Sequence, residues 1–419
     1  MRLKLLLASS LLISTFSITA QQRRTCGTHD RYLQAVQADP SIAIRRAAKD
    51  QEMQEWIKRH ATSRTSSGTV LVTVPVVVHV LYYNSTQNIS NAQILSQLDV
   101  LNKDYSKTNT DTGLVPSVFK PLAADVQVQF CLANVDPSGN PTTGIETRAV
   151  TTTQIGNGNK YYQYSQGGMN AWDHTKYLNF WICDIDGGST LGYTYLPGSI
   201  PASQDGVVID YRFWGTTGTV SAPYDLGRTA SHEVGHWFNL EHIWADEAAC
   251  AADDGVADTP QQKGENYGCP TFPQTTSTGG RCSTTDPSSM YMNYMDYTDD
   301  ACMMMFTVGQ VARMQAAITA YRSGLLTSNG CSGTTGIRAL NTLATSIYPN
   351  PSQGVFEFTI LENAPVVLSI TDLTGREVFS HAYDTNEKTI FNLSNQADGI
   401  YIAAFECNGK RSVRRIIKN

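Results

Sequence analysis

His232, Glu233, His236 and His242 fall within one short stretch, HEVGHWFNLEH, running from 232 to 242. Two histidines at i and i+4 lie one above the other on a helix face, so both imidazoles can reach a single metal ion. Glu233, between them, projects close enough to act on a water at that metal. A third histidine at 242 completes a three-ligand set and leaves one coordination position open, which marks catalytic rather than structural zinc. H-E-x-x-H alone is short enough to arise by chance in a long chain, but the spaced third histidine removes most chance matches.

That geometry needs particular supporting elements. A helix over 225–238 must carry the first two histidines and then end, because the chain has to turn sharply to return His242 to the metal. Such a turn uses positive φ, which glycine adopts freely and asparagine second best; Asn239 stands at the turn. The β-branched run 70–83 reads as a strand, as do 126–132, 177–185, 192–196 and 206–212, with helices expected over 91–105 and 307–321.

The 419 residues suffice for more than one domain. Arg2 and Lys4 precede an apolar run from Leu5 to Phe16 and the small residue Ala20, the pattern of a signal peptide over 1–20. This run is too short to span a bilayer, and no later stretch is long enough, so no membrane span is expected. A net charge of −6 argues against nucleic acid as the main partner. Residues 21–68 carry apolar side chains at helical spacing and end in the polar, protease-accessible Thr62–Gly68, as a prosegment would. A catalytic domain over 69–333 and a linker over 334–345 follow. Short alternating strands with Asn-Pro and Asn-Gly turns over 346–419 indicate a small β-sandwich. Nine cysteines in an exported chain suggest disulfides with one thiol left over.

The 232–244 segment, together with Asn293-Tyr294-Met295-Asp296-Tyr297 downstream, resembles the pappalysin or cytophagalysin branch of the metzincin metalloendopeptidases. Leu191-Gly192-Tyr193 and the 205–210 segment are similar to this family's edge strand and the strand after it. The resemblance covers roughly 70–331 and implies an α+β fold of the metzincin α/β type, with a twisted sheet, backing helices, and zinc at the floor of a cleft along the edge strand. Metzincins carry glycine where this chain has Asn239, a departure the backbone argument tolerates. The tail, from Tyr348-Pro349-Asn350-Pro351 to Lys418, resembles the C-terminal sorting domain of type IX secretion cargo. The type IX machinery is thus an expected partner, in a Bacteroidota-type bacterium, with passage through the periplasm to the medium or cell surface.

The resemblance also implies roles. Glu233 would be the general base; Tyr297 would face the metal and donate to a tetrahedral oxyanion, unless it is an ordinary packed aromatic. Met295 would support the imidazoles from below without ligating. Asp254, the Val256 carbonyl and Thr259 would hold a structural calcium ion, the alternative being a solvated acidic loop. Four cysteines allow three pairings; the family pattern implies Cys250–Cys282 and Cys269–Cys302, and a four-cysteine zinc site is disfavoured because no close C-x-x-C pair occurs. Cys131 and Cys183, in two expected strands, either pair or are buried thiols, and Cys331 and Cys407 have no assigned partner. Cys26 would cap the zinc in a latent precursor, or else pair with Cys331 or Cys407. Arginine-cleaving members place an acid immediately before the cysteine after the Met-turn. That position is Ala301 here, with Asp300 expected to point elsewhere or into solvent, so no strict arginine requirement is expected; Met303, Met304 and Met305 would offer an apolar lining.

These residues point to a secreted zinc metalloendopeptidase acting on protein or peptide substrates and made as a latent precursor. The alternatives are a catalytically silent adhesin or binding protein, or a zinc amidase acting on cell-wall peptide. Intact Glu233 and Tyr297 weigh against the silent reading.

Overall fold

A computed structural model describes residues 23–60, 72–276, 278–331, 345–360, 365–372, 376–384, 389–407 and 410–419. The expected signal peptide, and the polar end of the expected prosegment, lie outside these residues. The chain forms two compact units, 1–334 and 335–419.

The first unit opens with two helices, α1 (Thr28–Ala38) and α2 (Ser41–His60). Strand β1 (Val72–Tyr82) follows, then α3 (Asn91–Tyr105), β2 (Val128–Leu132), β3 (Ile145–Ala149), β4 (Leu178–Cys183), β5 (Gly192–Thr194) and β6 (Val207–Asp210). Helices α4 (Arg228–Trp237) and α5 (Val308–Tyr321) complete it. The sheet runs β2-β1-β4-β6-β5, with β3 continuing beside the second half of β1 where β2 ends. All its pairings are parallel except that of β5, which lies antiparallel to β6 at the edge. Val74, Val76, Val77, Val78 and Val80 of β1 are all fully buried; a continuous valine run fits a central strand covered on both faces. Ser90 accepts from the Gln93 N–H at the start of α3, and Thr307 with Gln310 forms a reciprocal capping box on α5.

Strand β3 escapes the sequence pattern because Ile145-Glu146-Thr147-Arg148-Ala149 has no clear apolar alternation and none of its residues is fully buried. The possible Cys131–Cys183 pair does not form: Cys131 bonds Cys331, and Cys183 is a buried free thiol. Topology explains it. Strand β1 separates β2 from β4, and two strand spacings, roughly 9.5 Å, exceed the Cα separation a disulfide spans. Instead the Asn134 N–H bonds the Gly330 carbonyl at 2.8 Å, bringing Cys331 to the end of β2.

The second unit holds β7 (Thr345–Tyr348), β8 (Val355–Ile360), β9 (Val366–Asp372), β10 (Glu377–Tyr383), β11 (Thr389–Asn392), β12 (Gly399–Cys407) and β13 (Lys410–Lys418). Antiparallel sheets of order β10-β9-β12-β13 and β11-β8-β7 enclose Phe356, Phe358, Leu368, Phe391 and Phe405, the all-β sandwich expected of the tail.

Candidate active site

Every residue of α4 is buried. Its start is pinned to α3 and to the turn after it: Arg228 pairs with Asp104 of α3 and with Asp111 beyond it, and the Ser231 hydroxyl donates to Asp104 at 2.5 Å. Its end is a left-handed turn, with Asn239 at φ 67°. There the Asn239 N–H bonds the His236 carbonyl and the Leu240 N–H bonds the Gly235 carbonyl. The chain reverses and brings His242 under the helix.

The three imidazoles converge. The Nε2 atoms of His232, His236 and His242 lie 3.2, 3.2 and 3.0 Å from one another, against about 3.3 Å between nitrogens of a tetrahedral zinc site. Each Nδ1 has an acceptor: the Tyr294 carbonyl at 2.7 Å, the Leu240 carbonyl at 2.7 Å and the Asp246 carboxylate at 2.6 Å. A proton held on Nδ1 leaves the Nε2 lone pair for a metal. Burial, and then the neighbouring imidazoles, push His232 well below its ordinary value and His236 down to about 3. The donor set is thus buried and directed at one point, and it fits zinc. Asp246, four residues after His242, is absent from the sequence reading; the i, i+4 spacing was its only signal.

Met295 and Tyr297 are held from behind. A Cβ on Gly235 would overlap the Met295 sulfur, so the glycine between the first two histidines lets the thioether reach the floor of the site. The Tyr297 ring packs edge-on to His242 at 4.9 Å. Asp296 turns the other way and accepts from the Gln262 side chain, the Asn266 backbone and side chain, and the Tyr297 N–H. Burial still pushes its carboxyl up to about 6.

The N-terminal segment crosses this centre beside β5. Cys26 bridges Gly192 in parallel register, with Gly27 N–H to Gly192 O and Leu191 N–H to Thr25 O both 3.0 Å. Its Sγ joins the three Nε2 atoms in a group whose ligand atoms all lie within 4.8 Å of one another. The thiol donates to Glu233 Oε2 at 3.4 Å, and the Thr28 hydroxyl donates to the same oxygen at 3.0 Å. Burial raises the Glu233 carboxyl to about 7 despite these two donors, and raises the Cys26 thiol further above its usual range. The Tyr297 phenol donates to the Cys26 carbonyl at 3.4 Å. Cys26 is therefore a free thiol beside the three imidazoles and not in a disulfide.

Asp300 does not face solvent, as the sequence reading had allowed. Its side chain is fully buried and forms an ion pair with Arg24, which also donates to the Thr298 carbonyl and Thr229 and lies over the Tyr224 ring. The other Asp300 oxygen accepts from the Leu226 and Arg228 N–H groups at 2.9 and 3.1 Å. Residues 300–302 form a single 3₁₀ turn. A buried carboxylate here holds a guanidinium.

Beyond the cleft, the Thr259 hydroxyl lies 2.8–2.9 Å from both Asp254 oxygens and the Val256 carbonyl. Burial lifts the Asp254 carboxyl to about 8. Disulfides join Cys250 to Cys282 and Cys269 to Cys302.

Comparison with known proteins gives the same picture. The family described as pregnancy-associated plasma protein-A, peptidase family M43, matches residues 163–319, and the secretion system C-terminal sorting domain matches 346–419. An extracellular metalloprotease of Arthroderma otae is 28% identical over 331 residues, 77% of this chain and 100% of that protein. A promirolysin point mutant from Tannerella forsythia is 40% identical with a TM-score of 0.65, across 75% of this chain and 100% of that one. Mature mirolysin from the same organism, in complex with a cleaved peptide, is 43% identical with a TM-score of 0.57, across 62% and 98%. Among the described residues no helix is long and apolar enough to cross a membrane. A buried three-histidine centre under an edge strand, relatives that are extracellular metalloproteases and a secretion tail converge: the chain belongs to the pappalysin (M43) family and is a secreted zinc metalloendopeptidase.

Proposed function

We propose that His232, His236 and His242 are the zinc ligands and that Glu233 is the general base of peptide hydrolysis. The convergence of the three Nε2 atoms beside one buried carboxylate carries this reading. Zinc bound there would polarise the scissile carbonyl and bring the pKa of the attacking water to about 7. Glu233 takes the proton of that water and returns it to the leaving amine, the two transfers that a carboxylate beside the metal can make. Tyr297 donates to the developing oxyanion. Its hydrogen bond to the Cys26 carbonyl supports this, because a carbonyl oxygen already sits where such a donor is needed. Met295 supports the imidazoles from below.

Residues 21–68 act as a prosegment, with the Cys26 thiolate as a fourth zinc ligand that occupies the catalytic position. The pocket of Asp300 accepts arginine from the substrate; a buried carboxylate that already pairs with Arg24 supports it. The oxygen cluster of Asp254, Val256 and Thr259 holds calcium, a reading supported by a buried carboxylate, a backbone carbonyl and a hydroxyl that meet within 2.9 Å, oxygen ligands of the kind calcium takes. The domain from about 346 engages the type IX machinery. Casein digestion by matured protein tests the whole reading. Hydrolysis should stop with a zinc chelator and return with added zinc; chelator-resistant hydrolysis would contradict it.

A further inference from the structure

Asn239 carries more than its turn. Asparagine in left-handed backbone is less favourable than glycine, but its side chain makes contacts that a glycine could not. Its polar atoms face α2: Oδ1 accepts from Arg46 at 3.1 Å, and Nδ2 donates to Asp50 at 3.1 Å and to the Met53 sulfur at 3.7 Å. Arg313 of α5 closes the group, bonding the Asn239 carbonyl at 2.8 Å and Asp50 at 3.2 Å, while Arg46 reaches Glu241 at 3.6 Å. Beside it Met53 is buried against Ala316 and Ala317, with Trp56 and Ile57 along the same contact.

We propose that α2 is a second inhibitory anchor of the prosegment, and that Asn239 is its receptor on the catalytic domain. This rests on the reading of residues 21–68 as a prosegment. Cys26 and Arg24 hold the cleft side; Arg46, Asp50 and Met53 hold the turn that positions His242. Two linked contacts raise each other's effective concentration, so release at the cleft does not free the segment while α2 stays seated. The receptor is buried, and all three side-chain partners of Asn239 belong to the segment that maturation would remove.

Full-length precursors test this, each incubated with a trace of mature enzyme while conversion and peptide cleavage are followed. The Arg46→Ala/Asp50→Ala precursor should convert about tenfold faster than wild type, the scale of one lost charged hydrogen bond. Its mature product has the wild-type sequence and should show wild-type kcat/KM. Asn239→Gly keeps the turn, and its precursor should also convert faster. Combining it with the double substitution should add little, because both remove the same contact; full additivity would overturn the receptor role. Conversion of Arg46→Ala/Asp50→Ala at the wild-type rate, with Cys26→Ala accelerated, would overturn the second anchor and leave the prosegment reading standing. Wild-type rates in both would overturn both.

Discussion

Asp246 accepts the Nδ1–H of His242 at 2.6 Å, and its other oxygen meets His29 of the N-terminal segment at 3.0 Å. Burial would raise this carboxyl, but the two histidines override it and hold it well below the usual carboxylate range. The charge fixes the tautomer and the plane of the third imidazole. Removing such a partner typically weakens metal binding by about 10–100-fold. Asp246→Ala should show that loss in a competition titration against a chromogenic chelator. Unchanged affinity would mean that His242 is oriented by the turn alone.

The Asp300 pocket gives a prediction opposite to the expectation read from Ala301. Cleavage profiling on a denatured proteome should show arginine enriched next to the cut. Asp300→Ala should lower kcat/KM for an arginine peptide by about 100-fold, since a bidentate charged pair is lost from a buried site, with a smaller change for an apolar peptide. Equal losses for both would assign Asp300 to holding the Leu226 and Arg228 N–H groups only.

Asp205 sits under the end of α4. Trp237 Nε1 donates to it at 2.9 Å, Arg322 at 2.7 Å, and His174 lies at 3.1 Å. Burial opposes ionisation, yet Arg322 and His174 prevail and bring its carboxyl to about 2. The folded value lies below the unfolded one of about 3.9, so the stabilisation is complete above about pH 4 and is lost as pH falls through about 2. Arg322→Met removes the guanidinium from this buried carboxylate and should cost about 3–5 kcal/mol at pH 7. In urea titrations that deficit should shrink between about pH 4 and pH 2; a pH-independent deficit would trace the loss to packing of Arg322 over the Trp237 ring instead.

Much of this site was legible because its chemistry is local in sequence. His232, Glu233 and His236 share a helix, and Asn239 declared the turn that returns His242. The helix over 91–105 matches α3 at both ends, where Ser90 caps it. What escaped depends on contacts distant in sequence. Cys131 could not be paired before the order β2-β1-β4 was known. The direction of Asp300 goes with its ion pair to Arg24, which is 276 residues away. Strand β3 is specified by pairing to β1 rather than by its own pattern.

The central claim is that Glu233 does the proton transfer while three histidines alone hold the metal. Glu233→Gln in the matured protein, with zinc measured by elemental analysis beside a peptide-cleavage assay, tests it most directly. The account predicts about one zinc per chain, as in wild type, and turnover reduced by about 10²–10⁴-fold, the range of a lost general base. Turnover near the wild-type rate, or loss of the zinc together with the activity, would contradict it.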